Sequence, residues 1–191
     1  FIMDMNNNIT PVNFGATFIK SVEIKKYNPK TNLFKPIKAS VVKYDASNKC
    51  DLKSMKTAVR DWNGQVFAEN IVENAGEMLG SDYKKAQNQI YLLTEQNENF
   101  DRLKSSKILG MANMKQWFDS SDELAYLQTR PDSMHKLKRR PFKGVGKALI
   151  DTIKDMYKKI ELTASYNAAQ FYEKQNFKII DPDHMRYRWD G

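Results

Sequence analysis

The residue types and patterns that the sequence lacks already exclude several kinds of structure and site. It contains one cysteine, Cys50, and two histidines among 191 residues. An internal disulfide is therefore excluded, and Cys50 has no evident base that would make it a nucleophile. The histidines have no partners at ligand spacing, so we expect no metal. No run of 18 apolar residues occurs, so we expect no membrane span. A chain without disulfides fits a reducing compartment, and we expect a cytoplasmic protein.

The length and the charge narrow the class of protein further. The chain is 41% apolar and has a net charge of +8. We expect a single domain over residues 1–191, in which residues 1–13 are loosely ordered. The cations concentrate in one segment, opposed there only by Asp132, and this basic loop is suited to phosphates of either a cofactor or a nucleic acid. Its members are Arg130, Lys136, Lys138, Arg139, Arg140, Lys143 and Lys147.

The first half of the chain predicts a hairpin followed by two helices. Residues 18–27 and 37–44 flank a turn at 28–32 and predict two antiparallel strands. Apolar residues then recur at helical spacing, first behind Asp51 as a candidate N-cap and then up to Gly80, with Gly64 ending the first helix.

The second half changes to short strands and then to a strand–helix alternation. Residues 89–94, 107–118 and 123–129 predict three adjacent strands in an antiparallel meander. A helix follows the basic loop, predicted from the helical spacing of Leu149, Ile153, Met156 and Tyr157, with Lys158 and Lys159 in its last turn. The remaining elements are predicted as a strand at 160–164, a helix at 167–175 and closing strands at 177–180 and 185–189. The fold class is mixed α/β with a mostly antiparallel sheet.

The most informative segment is the glycine-rich run from Lys143 to Ile150. Such a loop opening a helix presents free backbone N–H groups to an anion, and the helix dipole adds positive potential there. It is not a Walker A loop, because Ala148 follows Gly146-Lys147 and no glycine lies five residues before Gly146. It also lacks the third glycine of a dinucleotide fingerprint.

Three motifs in this order resemble the GNAT superfamily of acyl-CoA-dependent N-acyltransferases. The first is Lys143-Gly144-Val145-Gly146-Lys147-Ala148, similar to the family's [RQ]-x-x-G-x-[GA] helix start, with Lys in the first place. The second, from Asn167 to Phe177, is similar to N-A-x-x-F-Y-E-K-x-G-F, with Asn176 in place of glycine. The third is Leu127-Gln128-Thr129-Arg130-Pro131, where the family often has Leu-x-Val-x-Pro. Together they cover about the last 40% of the chain.

The resemblance implies a GNAT-like fold and direct transfer of an acetyl group from acetyl-CoA to an amine, without a covalent enzyme intermediate. It implies that the backbone of Leu127, Gln128 and Thr129 pairs with the pantetheine arm. The amides of Gly144, Val145, Gly146, Lys147 and Ala148 would hold the pyrophosphate with Lys143 nearby, and Asn167 would bond the arm. Tyr172 would act as general acid toward the departing thiolate.

The sequence leaves the general base and the partners open. Glu123 is the candidate base that the resemblance favours, with Asp119, Asp122, His135 and His184 as alternatives. The acceptor is an amine of a small molecule or a protein. Two other functions stay open: a basic nucleic-acid-binding module, and an acyl-CoA-binding protein without catalysis. A homodimer formed through an exposed final strand, with Met185, Tyr187 and Trp189 on one face, is a further expectation.

Overall fold

The computed structural model describes residues 15–117, 122–131 and 141–191. The expectation that residues 1–13 are loosely ordered lies outside these ranges. The described residues form one mixed sheet in the order β6-β1-β2-β3-β4-β5-β7-β9-β8. Its strands are β1 (Thr17–Asn28), β2 (Leu33–Lys43), β3 (Asn88–Thr94), β4 (Ile108–Gln116), β5 (Asp122–Thr129), β6 (Phe142–Lys143), β7 (Lys159–Thr163), β8 (Lys178–Asp181) and β9 (Arg186–Asp190).

The predicted N-terminal hairpin and the meander of three strands are both confirmed. β1 pairs with β2, and β3, β4 and β5 pair in sequence, all antiparallel. The connection from β3 to β4 spans residues 95–107 and ends in a 3-10 turn, Ser105–Lys107. Within the described ranges, β5 and β7 are the neighbours that run parallel.

Helices cover the two faces of the sheet. They are α1 (Lys49–Asp61), α2 (Val66–Met78), α3 (Asp82–Gln87), α4 (Val145–Met156) and α5 (Ala169–Glu173). The side chains of β3 alternate between the two layers: Ile90 and Leu92 pack with α1 and α2, whereas Tyr91 and Leu93 pack with α4. Because both faces of this central strand are buried, it is apolar without interruption.

The close packing of α4 on the sheet depends on one glycine of β4. A Cβ on Gly110 would lie 2.8 Å from Val145 Cγ1 and 3.0 Å from Leu149 Cδ1. The first distance is shorter than packed carbon atoms allow and the second is tight, so with a larger residue the Val145 and Leu149 side chains or the start of α4 would have to shift. Gly110 therefore allows the glycine-rich helix start to pack closely on β4.

The expected N-cap of α1 is wrong. Asn48 caps the helix by accepting N–H groups of Cys50 and Asp51. Asp51 lies in the first turn, fully buried, and accepts the Leu103 N–H at 3.0 Å. Its carboxylate thus fixes α1 to the long β3–β4 connection, a distant contact that local sequence does not reveal.

The expectation of an exposed final strand is also wrong. β9 lies between β7 and β8, and Tyr187 is buried in the α4 core with Met185 and Trp189 packed against it. The strand at this edge is β8 instead. The sequence pattern also missed α3 and the two-residue strand β6, which pairs with Lys25 and Lys26 of β1.

Candidate active site

The site forms where two neighbouring strands separate. β5 and β7 pair through a single residue pair, Glu123 with Glu161. Two residues later the register of β5 against β4 shifts, so that Ala125 has no partner residue on β4. Such a bulge bends and twists a strand. Beyond it, the edge of β5 that faces β7 has no strand paired to it in the described part of the chain.

A cleft of about 660 Å³ lies at this separation. It is bounded by the end of β5, the start of α4 and the segment from Asn167 into α5. The chain thus brings together almost all of the residues expected from the three motifs. The lining residues are Leu109, Leu127, Gln128, Thr129, Arg130, Pro131, Pro141, Phe142, Lys143, Gly144, Val145, Gly146, Lys147, Asn167, Ala168, Phe171 and Tyr172.

The backbone of β5 presents alternate residues to the cleft. Arg130 donates its N–H to Leu109 of β4 at 2.8 Å. Because the direction alternates along a strand, the N–H and C=O groups of Leu127 and Thr129 point away from β4, toward the cleft. Gln128 points the other way and pairs with Met111. The expectation that its backbone binds a ligand is therefore corrected.

The side chain of Gln128 has a local role. Its amide Nε2 donates to the carbonyl of Thr129 at 2.8 Å. That carbonyl is one of the two that point toward the cleft. The amide thus satisfies, within the protein, a group that would otherwise have only solvent or a ligand as its partner.

The start of α4 is an uncapped helix N-terminus inside the cleft. Gly144 is the N-cap in the left-handed region at φ 88°, with no side-chain cap and no acid in the first turn. The N–H groups of Val145, Gly146 and Lys147 precede the first turn's closing bond, which runs from Ala148 N–H to the Gly144 carbonyl at 2.9 Å. They are available to an anion, and the helix dipole reinforces them.

Ala148 does not belong to this set of donors. Its N–H is already used in the helix, its side chain is buried, and it does not line the cleft. The expectation that its amide holds a ligand is therefore corrected, because the free donors of a helix end before the first residue that makes an i to i−4 bond.

Gly146 allows the start of α4, the end of β5 and α5 to lie close together. A Cβ at this position would lie 3.2 Å from Phe171 Cζ and 3.5 Å from Thr129 Cγ2. The absence of a side chain therefore lets the first turn of α4 touch both β5 and α5. Phe171 itself was not singled out from the sequence, although it stands beside Tyr172 in the second motif.

The cations that the structure describes near the cleft all have protein partners. Lys143 Nζ lies 4.1 Å from the centroid of the Phe34 ring, and Lys147 pairs with Asp151. Arg130 donates to the Ser106 carbonyl at 3.3 Å, while its buried Nε has no hydrogen-bond partner. The other expected cations, Lys136, Lys138, Arg139 and Arg140, lie outside the described residues.

Of the expected acid–base groups that fall in the described residues, Tyr172 is the one that lines the cleft. Its side chain is 8% exposed and its ring packs edge-on against Phe171 at 5.1 Å and Phe177 at 5.7 Å. Burial raises the pKa of Tyr172 to about 12. The phenol is therefore protonated at neutral pH. Asn167, in the 3-10 turn Tyr166–Ala168, lines the cleft nearby.

Glu123 lies away from the cleft. It is four residues before Leu127, which corresponds to about 13 Å along an extended strand. Its Oε2 accepts a hydrogen bond from Trp117 Nε1 at 2.7 Å. Because its neighbour Leu124 packs on the α4 side, Glu123 faces the opposite side of the sheet, which α2 covers in part. A direct contact between this carboxylate and the cleft residues is thus not present.

The alternative bases are no better placed. Burial raises the pKa of Asp122, which lies near the buried Tyr91 and Tyr157 hydroxyls rather than in the cleft. His184 bonds Asp181 at 2.9 Å in the turn between β8 and β9. Asp119 and His135 lie outside the described residues.

Two features of other functional classes are absent from the described ranges. No group of three or more histidine, cysteine, aspartate or glutamate side chains is arranged there to hold a metal ion. None of the helices there has both the length and the apolar character that crossing a membrane requires.

Comparison with known proteins finds similar folds among solved structures. No family model and no curated protein matches the chain. Among solved structures, an acetyltransferase of the GNAT family from Desulfovibrio desulfuricans is 13% identical, over 90% of this chain and 99% of that one, with a TM-score of 0.50. A GNAT acetyltransferase from Staphylococcus aureus Mu50 is 14% identical over 80% and 98%, with a TM-score of 0.48.

A third similar structure is the Bacillus subtilis N-acetyltransferase YlbP, solved in complex with coenzyme A. It is 17% identical over 73% of this chain and 90% of that one, with a TM-score of 0.42. At sequence identities this low, the similarity to these structures is a similarity of fold. The mostly antiparallel sheet, the helices on both faces and the overall match to the Desulfovibrio structure show that this chain has the GNAT acetyltransferase fold.

Proposed function

We propose that this protein is an acyl-CoA-dependent N-acyltransferase that transfers an acetyl group from acetyl-CoA to a primary amine. The observation that carries the proposal is the cleft itself. It combines an uncapped helix N-terminus, a free strand edge and a buried tyrosine hydroxyl within one cavity. Since the described strands all join one sheet, we also propose that the chain works as a single domain.

The residues of the cleft fit the chemistry of coenzyme A. The pyrophosphate needs several N–H donors and positive potential, which Val145, Gly146 and Lys147 supply at the start of α4. The pantetheine arm contains two amides, which pair well with an unpartnered strand edge. On β5 that edge consists of Leu127 and Thr129. Asn167 stands across the cleft as a further donor and acceptor.

The reaction requires two proton movements. The amine nitrogen attacks the thioester carbonyl, a C–N bond forms, and the C–S bond of the tetrahedral intermediate then breaks. The departing sulfur takes a hydrogen bond or a proton from the Tyr172 hydroxyl. Because burial keeps this phenol neutral, it is a donor at every physiological pH.

The amine must lose a proton before or during attack, since the free ammonium is not nucleophilic. Glu123 is the carboxylate proposed for this step. It lies on the opposite side of β5 from the cleft and so would act on the amine rather than on the cofactor. Its distance from the cleft means that the proton would pass through water.

Two other functions are less well supported. A nucleic-acid interface would use the cations of the basic loop, and those of them that lie in the described residues, Arg130, Lys143 and Lys147, each contact a protein group. A protein that binds acyl-CoA without catalysis would share the same cleft. It would differ from an enzyme in being indifferent to the Tyr172 hydroxyl.

Thermal denaturation with CoA, acetyl-CoA, ATP or a short RNA tests the proposal, at low and moderate salt. We expect acetyl-CoA and CoA to raise the melting temperature at both salt concentrations, and ATP and RNA to have little effect. Release of CoA on addition of amines would then identify an enzyme. A salt-sensitive response to RNA without a CoA response would overturn the proposal.

A further inference from the structure

Three asparagine side chains form a continuous row of hydrogen bonds from α2 through β4 to β3. Asn74 of α2 donates its Nδ2 to Asn113 Oδ1 of β4 at 2.6 Å. Asn113 in turn donates its Nδ2 to Asn88 Oδ1 of β3 at 3.2 Å, and Asn88 donates to the Lys84 carbonyl of α3 at 3.1 Å. Asn113 is fully buried and Asn88 is 1% exposed. We call these three residues the asparagine row.

The layer around the asparagine row is apolar. It contains Ala75 and Met78 of α2, Ile90 of β3, and Met111, which lies two residues before Asn113 on the same face of β4. In such a layer, replacing two bonded amides by apolar groups of the same shape costs little stability. A buried polar row whose members are all paired instead selects one arrangement of the elements that it joins. The arrangement, rather than the stability, is therefore what the row explains.

Asn113 lies where the register of β4 against β5 shifts. Its backbone pairs with Tyr126, but the next residue, Met114, pairs two residues further back along β5, so that Ala125 is left without a partner. The Asn113 Nδ2 also donates to the Met114 carbonyl at 3.0 Å. One side chain thus binds β4 across the shift, while Asn74 holds that side chain from α2.

The shift decides which backbone groups of β5 face the cleft. If the pairing seen before the shift continued along the strand, Leu127 would take the place of Gln128 opposite Met111. The N–H and C=O groups of Leu127 would then bond β4 instead of facing the cleft, because a slip of one residue turns a strand to its opposite side. The free edge that Leu127 and Thr129 present therefore depends on the bulge at Ala125.

We infer that Asn113 is a positioning residue for the cofactor: it holds the bulge in β5 and so keeps the backbone groups of Leu127 and Thr129 available to the pantetheine arm. This inference rests on the proposed function. Asn113 does not itself line the cleft, so it acts on the ligand through the backbone of β5. Its loss should therefore weaken binding of the arm and spare binding of the phosphates at the start of α4.

The test compares CoA with adenosine 3′,5′-bisphosphate, which shares the adenosine and its phosphates but has no pantetheine arm. Isothermal titration gives the Kd of each ligand. We expect Asn113→Leu to raise the Kd of CoA by about tenfold or more, because hydrogen bonds to the arm are lost. The Kd of adenosine 3′,5′-bisphosphate should stay within about twofold. Equal changes for the two ligands, or an unchanged Kd of CoA, would overturn the inference.

A double variant separates positioning from a loss of stability. Asn113→Leu leaves the Asn74 amide without its acceptor, whereas Asn74→Leu/Asn113→Leu removes both partners and should regain part of the lost melting temperature. A positioning role predicts that the Kd of CoA stays raised in the double variant. Recovery of CoA affinity together with the melting temperature would show a merely structural role and overturn the inference.

Ser54→Ala is the matched control. It removes a hydrogen bond of 2.7 Å from α1 to the Leu103 carbonyl of the β3–β4 connection. This variant also loses a contact between distant parts of the chain, but one that does not involve the register of β5. The ratio of the two Kd values should therefore equal that of the wild type. A ratio changed as much as in Asn113→Leu would contradict the inference.

Hydrogen exchange of the backbone amides reports the register directly. In the wild type, the amides of Leu127 and Thr129 should be protected by CoA and not by adenosine 3′,5′-bisphosphate. Asn74→Leu, which removes only the bond from α2, should reduce this protection, and it serves if Asn113→Leu does not fold. Unaltered protection in Asn74→Leu would overturn the inference. Failure of the wild type to bind CoA at all would instead overturn the proposed function.

Discussion

Replacing Tyr172 by phenylalanine isolates the proposed proton donor from its packing role. The ring contacts with Phe171 and Phe177 remain, and the hydroxyl makes no hydrogen bond to the described residues, so the fold loses little. We expect the free energy of unfolding to change by no more than about 0.5 kcal/mol. The Kd of CoA should change less than twofold.

The raised pKa of Tyr172 sets the size of the catalytic effect. A thiol has a pKa near 8.5, so complete transfer of a proton from a phenol with a pKa of about 12 is unfavourable by about 5 kcal/mol. The phenol therefore acts mainly as a hydrogen-bond donor to the developing thiolate. A hydrogen bond to a charged group contributes about 1.5–3 kcal/mol. We expect the rate of acyl transfer in Tyr172→Phe to fall by roughly 10- to 150-fold.

The assay is single-turnover acyl transfer, which reports the chemical step without product release. Tyr157→Phe is the control, since its hydroxyl pairs with Tyr91 at 3.0 Å and does not line the cleft. A loss below threefold in Tyr172→Phe would refute the role. A loss beyond about a thousandfold would refute the argument that a hydrogen bond suffices. A fall in wild-type activity between pH 8 and 10 that the variant lacks would also refute that argument, because it would mean that the Tyr172 phenol ionises in this range.

Three further predictions concern the scaffold. Gly144→Ala should lower the free energy of unfolding by about 1–2 kcal/mol and weaken CoA binding, because φ is 88° there; Gly144→Asn should be milder. Burial pushes the pKa of Glu161 up, but hydrogen bonds from Arg188 and Lys159 outweigh it and lower the pKa. Its stabilising contribution is therefore present above about pH 4.5 and lost as pH falls through the folded pKa, so urea denaturation of Glu161→Gln should show a weaker loss of stability below pH 4.5. Asn113→Ala should cost about 2–3 kcal/mol in chemical denaturation, because it leaves the amide of its partner Asn74 without that bond.

Sequence reasoning located the cleft because its determinants are local. A glycine-rich helix start and an Asn-to-Phe helix motif are each contiguous, so Gly144, Gly146 and Tyr172 could be placed on elements without knowledge of the fold. The β5 segment was found the same way, through Leu127 and its neighbours. What the pattern cannot give is the direction of each backbone group, which depends on the pairing of β5 with β4.

The predictions that the structure corrects failed for the same reason: the partners of backbone groups depend on pairing that a local pattern does not show. Gln128 and Ala148 were placed among the binding residues, although their backbone groups are used by a strand ladder and by a helix. β6 was missed because Lys143 pairs with Lys25, far away in the sequence. Glu123, which stays a proposal, lies on β5 but on the face opposite the cleft. The single unpaired residue Ala125 interrupts the alternation of side chains along β5, so this face cannot be assigned without the partner strand.

The separation of β5 from β7 explains why the site can exist in an otherwise complete sheet. Backbone N–H and C=O groups left without partners are tolerated where water or a ligand can reach them. Gly110 holds α4 close to β4, while Glu161 binds Arg186 and Arg188 and so ties β7 to β9. β5 is itself held by its pairing with β4, so each diverging strand is fixed from its outer side and needs no pairing across the gap. A ligand with amide groups that enters the gap would supply the hydrogen bonds that β7 does not make.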